Sequence, residues 1–137
     1  MDNPIVRTIV ASLAGIAVAI LVVFLAEGAG HLIFPPPDGL DVTNAADQVR
    51  IMEVIPLGAK IAVVVAWFLG ALAGAAVAIM IGSRALPAWI VGLAMLLASV
   101  ATTQMFPHPL WMLIAAFALP IVAVLLALRM FRARLKI

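Results

Sequence analysis

Residues 61–82 read IAVVVAWFLGALAGAAVAIMIG and contain no charged side chain. A helix needs about 20 mostly apolar residues to cross a bilayer, so this run is long enough for one membrane span. The whole chain is similar, because 67% of its 137 residues are hydrophobic and only 10% are charged. A soluble domain of this size has too little interior to bury so much apolar surface. The composition therefore predicts an integral membrane protein and excludes a soluble domain, a disordered chain and a nucleic-acid binder.

The spacing of the charged residues predicts four transmembrane helices. The stretch Ile9–Ala26 is free of charge, and residues 85–128 contain no Asp, Glu, Lys or Arg. The second stretch is too long for one span, and Phe106-Pro107-His108-Pro109 interrupts it because prolines remove backbone donors from a helix. We expect spans at about residues 5–33, 57–82, 87–105 and 109–132, with a loop at about 34–56.

The predicted fold is all-α, a single domain over residues 1–137 in which four spans form an up-down bundle. The first span also has features of a cleaved signal peptide, and we interpret it as a retained helix. The loop begins with Pro35-Pro36-Pro37, a stiff extended segment. Asn44, followed by Asp47, is typical of a helix start, and Pro56 ends the short outer amphipathic helix that results. This helix is either a solvated connector or a lid over the bundle.

The distribution of basic residues predicts the orientation. With four spans both termini lie on one side, which carries a formal charge of +5 with Asp2 as its only acid, and the opposite side carries −3. Loops rich in Lys and Arg stay in the cytoplasm. We therefore expect a protein of the bacterial inner membrane with both termini cytoplasmic. The basic residues expected to contact lipid headgroups are Arg129, Arg132, Arg134 and Lys136.

Small residues recur every four positions along the second span. Helices in lipid associate through close van der Waals contact, which small residues permit. The first span has a shorter series of the same kind at Ala11, Gly15 and Ala19, and we expect Trp67 to pack against a neighbouring helix. The stripe packs either on another helix of this chain or on another protomer or protein. Its members are Gly58, Ala62, Ala66, Gly70, Gly74, Ala78 and Gly82.

A candidate site lies at the outer ends of the spans. Glu27 and His31 are four residues apart and share one helix face, and the turn that holds His108 lies on the same side. Glutamate and histidine are zinc ligands, and histidine also binds protons near neutral pH. The cluster is therefore predicted to bind zinc, another divalent metal or a proton, with Lys60 and Glu53 as a supporting ion pair. Alternatively, Glu27 pairs with Lys60 and both histidines bond to the backbone.

Three functions are compatible with these features. The favoured one is helix–helix assembly, as a homo-oligomer or as a subunit of a larger membrane complex. The second is a channel or transporter with a pore between protomers, although the middle of each span has no ionisable residue to relay protons. The third is a membrane-embedded lipid-modifying enzyme with His31 or His108 as its acid–base group. No catalytic residue is assigned, and the absence of cysteine excludes disulfides and thiolate chemistry.

Two segments carry a resemblance to known proteins. They are PPPDGLD at residues 35–41 and FPHPLW at residues 106–111, and Glu27–His31 adds to the impression. Together they resemble small uncharacterised four-span bacterial membrane proteins. The resemblance implies a four-span membrane protein and brings no known activity.

Overall fold

The computed structural model describes residues 3–136, so Asp2 of the charge count lies outside the described residues. The helices are α1 (Pro4–Ile33), α2 (Ala45–Val54), α3 (Leu57–Gly82), α4 (Ala85–Met105), α5 (Leu110–Met130) and a short 3₁₀ helix (Arg132–Arg134). Four of them, α1, α3, α4 and α5, are long and apolar enough to cross a membrane, and the described part has no strand. The structure therefore confirms an all-helical fold consistent with a four-helix membrane bundle, and α2 is the short helix expected in the loop.

Capping residues in the sequence account for the helix ends. Asn3 caps α1 by accepting hydrogen bonds from two backbone N–H groups of the first turn, and Pro4 occupies the first helical position. Asn44 caps α2 in the same way. Pro56 and Pro109 precede α3 and α5 with extended backbone, as expected for a residue that has no N–H to donate. The starts of α1, α2, α3 and α5 thus each coincide with a capping asparagine or a proline.

The central helix of the bundle is α3. It packs against α1, α4 and α5, while α4 also packs against α1 and α5. Successive spans run in opposite directions, so two ends of the bundle are distinguished. The loop end carries residues 34–56 and the turn at 106–109. The terminal end carries the α3–α4 turn at 83–84 and residues 131–136.

The small-residue stripe of α3 lies against α1 of the same chain. Contacts run from Gly82 beside Ala11 at the terminal end, through Gly74 beside Gly15, to Gly58 beside Phe34 at the loop end. A Cβ built on Gly74 would lie 2.5 Å from the Gly15 carbonyl oxygen, so the two backbones touch directly. The stripe is therefore occupied within the chain, and its partner is the series of small residues on α1.

α4 fills the groove along this contact. Val91 and Met95 of α4 are buried and point between α1 and α3. A Cβ on Gly15 would lie 2.6 Å from a Val91 methyl group, and a Cβ on Gly70 would lie 3.4 Å from the Met95 methyl group. The glycines thus make room for backbone on one side and for α4 side chains on the other.

A serine of α4 completes the hydrogen bonding of α5. Pro120 lies inside α5 and has no N–H, so the carbonyl of Ala116, one turn earlier, loses its helical partner. The Ser99 hydroxyl donates to that carbonyl over 2.8 Å, and this bond is buried. In a lipid environment a neighbouring serine is one of the few groups able to replace the missing donor. The proline is therefore tolerated because α4 supplies the hydrogen bond.

At the terminal end of the bundle, hydrogen bonds join α1, the α3–α4 turn and the C-terminal segment. Arg7 donates from Nε to the Ile81 carbonyl (2.6 Å) and from Nη2 to the Ser83 hydroxyl (2.9 Å). Ser83 ends α3 in the left-handed conformation, and its carbonyl accepts a hydrogen bond from the Lys136 backbone N–H. Arg129, Arg132, Arg134 and Lys136 are all exposed at this end. Their contact with lipid headgroups stays a prediction, as does the orientation.

The α1–α3 contact leaves no room for a side chain at Gly74. A Cβ there would meet the Gly15 carbonyl at 2.5 Å and the Ala19 Cβ at 2.8 Å. We expect Gly74→Ala to lower the free energy of unfolding in detergent by about 1–3 kcal/mol, as overpacked cores do. Gly28→Ala is the matched control, because a Cβ on this helical glycine has nothing within 4 Å. Equal stability of the two variants would contradict the tight contact.

The Ser99–Ala116 bond is tested by a double-mutant cycle with Pro120. Ser99→Ala leaves a buried carbonyl without a donor, and we expect it to cost about 1–3 kcal/mol of unfolding free energy. In a Pro120→Ala background the helical N–H is restored, so the same serine substitution should cost clearly less. Reversible unfolding in detergent measures all four proteins. Identical serine costs in the two backgrounds would show that the hydroxyl does not replace the missing N–H.

Candidate functional site

A cavity of about 310 Å³ lies at the loop end, between α1, α3 and α4. The loop and α2 cover it, and its lining is mainly apolar. All three predicted site residues, Glu27, His31 and His108, line it. The other lining residues are Gly30, Phe34, Pro36, Pro37, Leu40, Val42, Ile51, Met52, Ile55, Ala59, Ala62, Val63, Thr102 and Phe106.

The cover of the cavity is held by apolar contacts. Met52 of α2 is buried in a cluster with Trp67 of α3 and Met112 and Ala116 of α5. Residues on the opposite side of α2, such as Arg50, are exposed. The short helix therefore closes the loop end with Ile51 and Met52, while its apolar residues Ala45, Ala46 and Val49 are exposed.

Phe34 fixes the point where α1 leaves the bundle. Its ring lies over Gly58 of α3, where a Cβ would come within 2.5 Å of the Phe34 Cζ atom. Phe34 also ends α1 and leads into the proline segment, whose Pro36 and Pro37 line the cavity. Gly58 thus belongs to the small-residue stripe because an aromatic ring needs its space.

Glu27 and His31 lie one turn apart on α1, as their spacing requires. Glu27 is half-buried and His31 is exposed. The two are close enough to interact electrostatically. The alternative pairing of Glu27 with Lys60 stays a prediction. Glu53 is exposed on α2 and Lys60 is half-buried on α3, and their ion pair stays a prediction.

His108 is held by both the backbone and aromatic rings. Its Nδ1 lies 2.8 Å from the Phe106 carbonyl oxygen. A carbonyl only accepts, so Nδ1 carries the hydrogen, and Nε2 of the neutral ring keeps a free lone pair. The ring centroid lies 6.0 Å from that of Trp67 and 6.2 Å from that of Phe106. This backbone bond is the arrangement that the alternative interpretation of the sequence gave for the histidines.

Metal coordination requires more than a shared cavity. Among residues 3–136, no three His, Cys, Asp or Glu side chains come close enough together to hold a metal ion. The carboxylate of Glu27 and the imidazoles of His31 and His108 therefore surround an apolar space rather than converge on one point. This arrangement suits an organic molecule with a polar group better than a bare divalent cation.

Several lining residues were not singled out by sequence reasoning. Phe34 and Phe106 supply the aromatic walls, and Thr102 is the polar residue that α4 contributes. Each aromatic residue directly precedes a proline, so the available signal was an apolar residue at the end of a span, beside a break in the helix. The sequence alone could not show how far apart these two breaks lie in the bundle.

The chain matches no protein-family model, no curated protein and no solved structure.

A hydrogen-bonded turn orders the loop before α2. The Asp41 carboxylate accepts hydrogen bonds from the Thr43 backbone N–H (2.8 Å) and hydroxyl (2.7 Å), and the Asp41 N–H donates to the Asp47 carboxylate (3.1 Å). The bonds from Thr43 hold the pKa of Asp41 below the usual aspartate value of 3.8. This turn leads from the proline segment, which lines the cavity, into the helix that covers it.

The lowered pKa of Asp41 makes the turn pH-dependent. Because the folded pKa lies below the unfolded one, the stabilising contribution is complete above the unfolded value and is lost as pH falls through the folded one. We expect the Thr43 amide proton resonance to titrate in NMR with a midpoint below 3.8. Asp41→Asn should abolish this titration, while Glu53→Gln should leave it unchanged. A midpoint above 3.8 would contradict the hydrogen bonds.

Proposed function

We propose that the protein binds an amphiphilic molecule from the membrane, a lipid or a lipid-like compound, in the loop-end cavity. The observation that carries this proposal is the cavity itself, because its 310 Å³ lie within the usual range for small-molecule sites, about 300–1,000 Å³. Such sites are mostly apolar and contain a few polar groups that orient the ligand. Glu27, His31, Thr102 and His108 are the polar groups of this cavity.

The position of the cavity supports a ligand that arrives from the bilayer. The cavity lies where the four candidate spans end on one side, so apolar chains and polar headgroups would both be close by. The apolar part would lie against Met52, Ile55 and Val63. The polar part would lie against Glu27 and His31.

Ligand binding is favoured over the other functions by where the small residues and charges lie. The α3 stripe, which was the main sequence argument for assembly, is filled by α1. Self-association stays a prediction and would use another surface. A pore would need polar groups along its length, whereas the ionisable residues lie toward the ends of the spans. A lipid-modifying enzyme would first require the binding site proposed here.

Trp67 provides a probe for the cavity. It is 3% exposed, and its ring centroid lies 6.0 Å from that of His108. Trp89 and Trp111 are each 39% exposed and can be replaced by Phe, which leaves Trp67 as the single tryptophan. We expect ω-bromoundecanol, a neutral alkyl quencher, to quench Trp67 fluorescence saturably in maltoside micelles. A quencher confined to the micelle would reach Trp67 poorly, since this side chain is buried.

The matched variants of this experiment lie next to each other on α4. Thr102→Phe places a ring in the cavity and should abolish saturable quenching, because Thr102 lines it. Ala101→Phe adds the same ring one position away at an exposed site and should preserve quenching. Absence of saturable quenching in the parent protein by alkyl probes of any charge, or equal quenching in both variants, would refute the proposed function.

A further inference from the structure

We propose that the ligand of the loop-end cavity is an organic cation, an amphiphile whose positively charged group binds beside Glu27. This inference rests on the proposed function and adds the chemical class of the ligand. The lining contains one carboxylate and no Lys or Arg among the described residues. Glu27 is thus the one acidic side chain among the described residues that line the cavity.

A cationic ligand would compensate the negative charge of Glu27, which is partly removed from water. The Glu27 side chain is half-buried and shares the cavity with apolar side chains. Removing a carboxylate from water costs free energy unless an opposite charge or hydrogen bonds replace the water. Within the described part of the chain, the neighbour that acts on Glu27 is His31, which is exposed and is not a permanent cation. A ligand bearing a positive charge would supply what the cavity wall lacks.

Aromatic rings on the same cavity favour a cation further. Phe34 and Phe106 line it from the ends of α1 and α4, and the His108 ring stands edge-on to Phe106. The face of an aromatic ring attracts cations, and proteins recognise quaternary ammonium groups with cages of such rings. The apolar methyl groups of this headgroup also suit an apolar wall better than a hydrated metal ion does.

The loop around the cavity also carries a net negative charge. Asp38, Asp41, Asp47 and Glu53 lie at the loop end with Arg50 and Lys60, so together with Glu27 this end has a formal charge of −3. A negative field around an opening raises the local concentration of cations and disfavours anionic headgroups. Charge near the cavity and charge inside it therefore select the same ligand.

The test compares three quenchers with the same alkyl chain in the single-tryptophan protein. They are ω-bromoundecyltrimethylammonium, ω-bromoundecanol and ω-bromoundecanoate, which are cationic, neutral and anionic. We expect the cation to quench Trp67 with a dissociation constant about tenfold lower than that of the neutral probe, since one charge contact of this kind is worth ~1.4 kcal/mol. The anion should bind more weakly than either.

Glu27→Gln separates the charge from the shape of the site. We expect the variant to lose the preference for the cation, so that the cationic and neutral probes quench Trp67 with equal dissociation constants. Saturable quenching by both probes would show that the cavity of the variant is intact. Equal binding of cation and neutral probe by the parent, tighter binding of the anion, or a cation preference that survives in Glu27→Gln would overturn the inference while leaving the proposed function standing. Saturable quenching by none of the three probes would refute the proposed function itself.

Discussion

The direct contact between the backbones of α1 and α3 is the constraint on which the structure depends. In a bilayer, burial of apolar side chains between helices gains little, because lipid is equally apolar, so packing relies on close contact. Gly15 and Gly74 meet without side chains between them, and the α4 residue Val91 packs against the same two glycines. The three helices thus share one contact region, and a larger residue at either glycine would separate all of them.

The cavity is a consequence of how this contact ends. Toward the loop end, Gly30 still lies beside Ala62, but the next contact needs the ring of Phe34 to fill the space above Gly58. Beyond it the chain turns into the proline segment, which cannot continue the helix. The space between α1, α3 and α4 is then closed from above by the loop and by Met52 of α2 rather than by helix packing. A site at this end therefore follows from the same small residues that hold the bundle together.

The four spans could be predicted from the sequence because a span depends on length and hydropathy, which are local properties. The run at residues 61–82 and the proline break at 106–109 were sufficient. The partner of the α3 stripe could not be chosen, because a strip of small residues fits any closely approaching helix. The i,i+4 spacing placed Glu27 and His31 on one face, and the even number of spans placed His108 at the same end. Such rules could not predict the distances between helices. The sequence therefore could not show that, among residues 3–136, no three possible metal ligands come close enough to hold an ion.

The polar groups of the bundle differ in whether the chain itself supplies their hydrogen-bond or charge partners. The carbonyl freed by Pro120 receives a hydroxyl from Ser99, Arg7 satisfies the end of α3, and His108 bonds to the backbone of its own turn. Among the described residues, every fully buried side-chain nitrogen or oxygen has a hydrogen-bond partner. Glu27 differs, because its carboxylate is half-buried at a cavity lined by no basic residue of the described chain. The chain satisfies its other buried polar groups from within, whereas the proposed cationic ligand would bind beside this carboxylate.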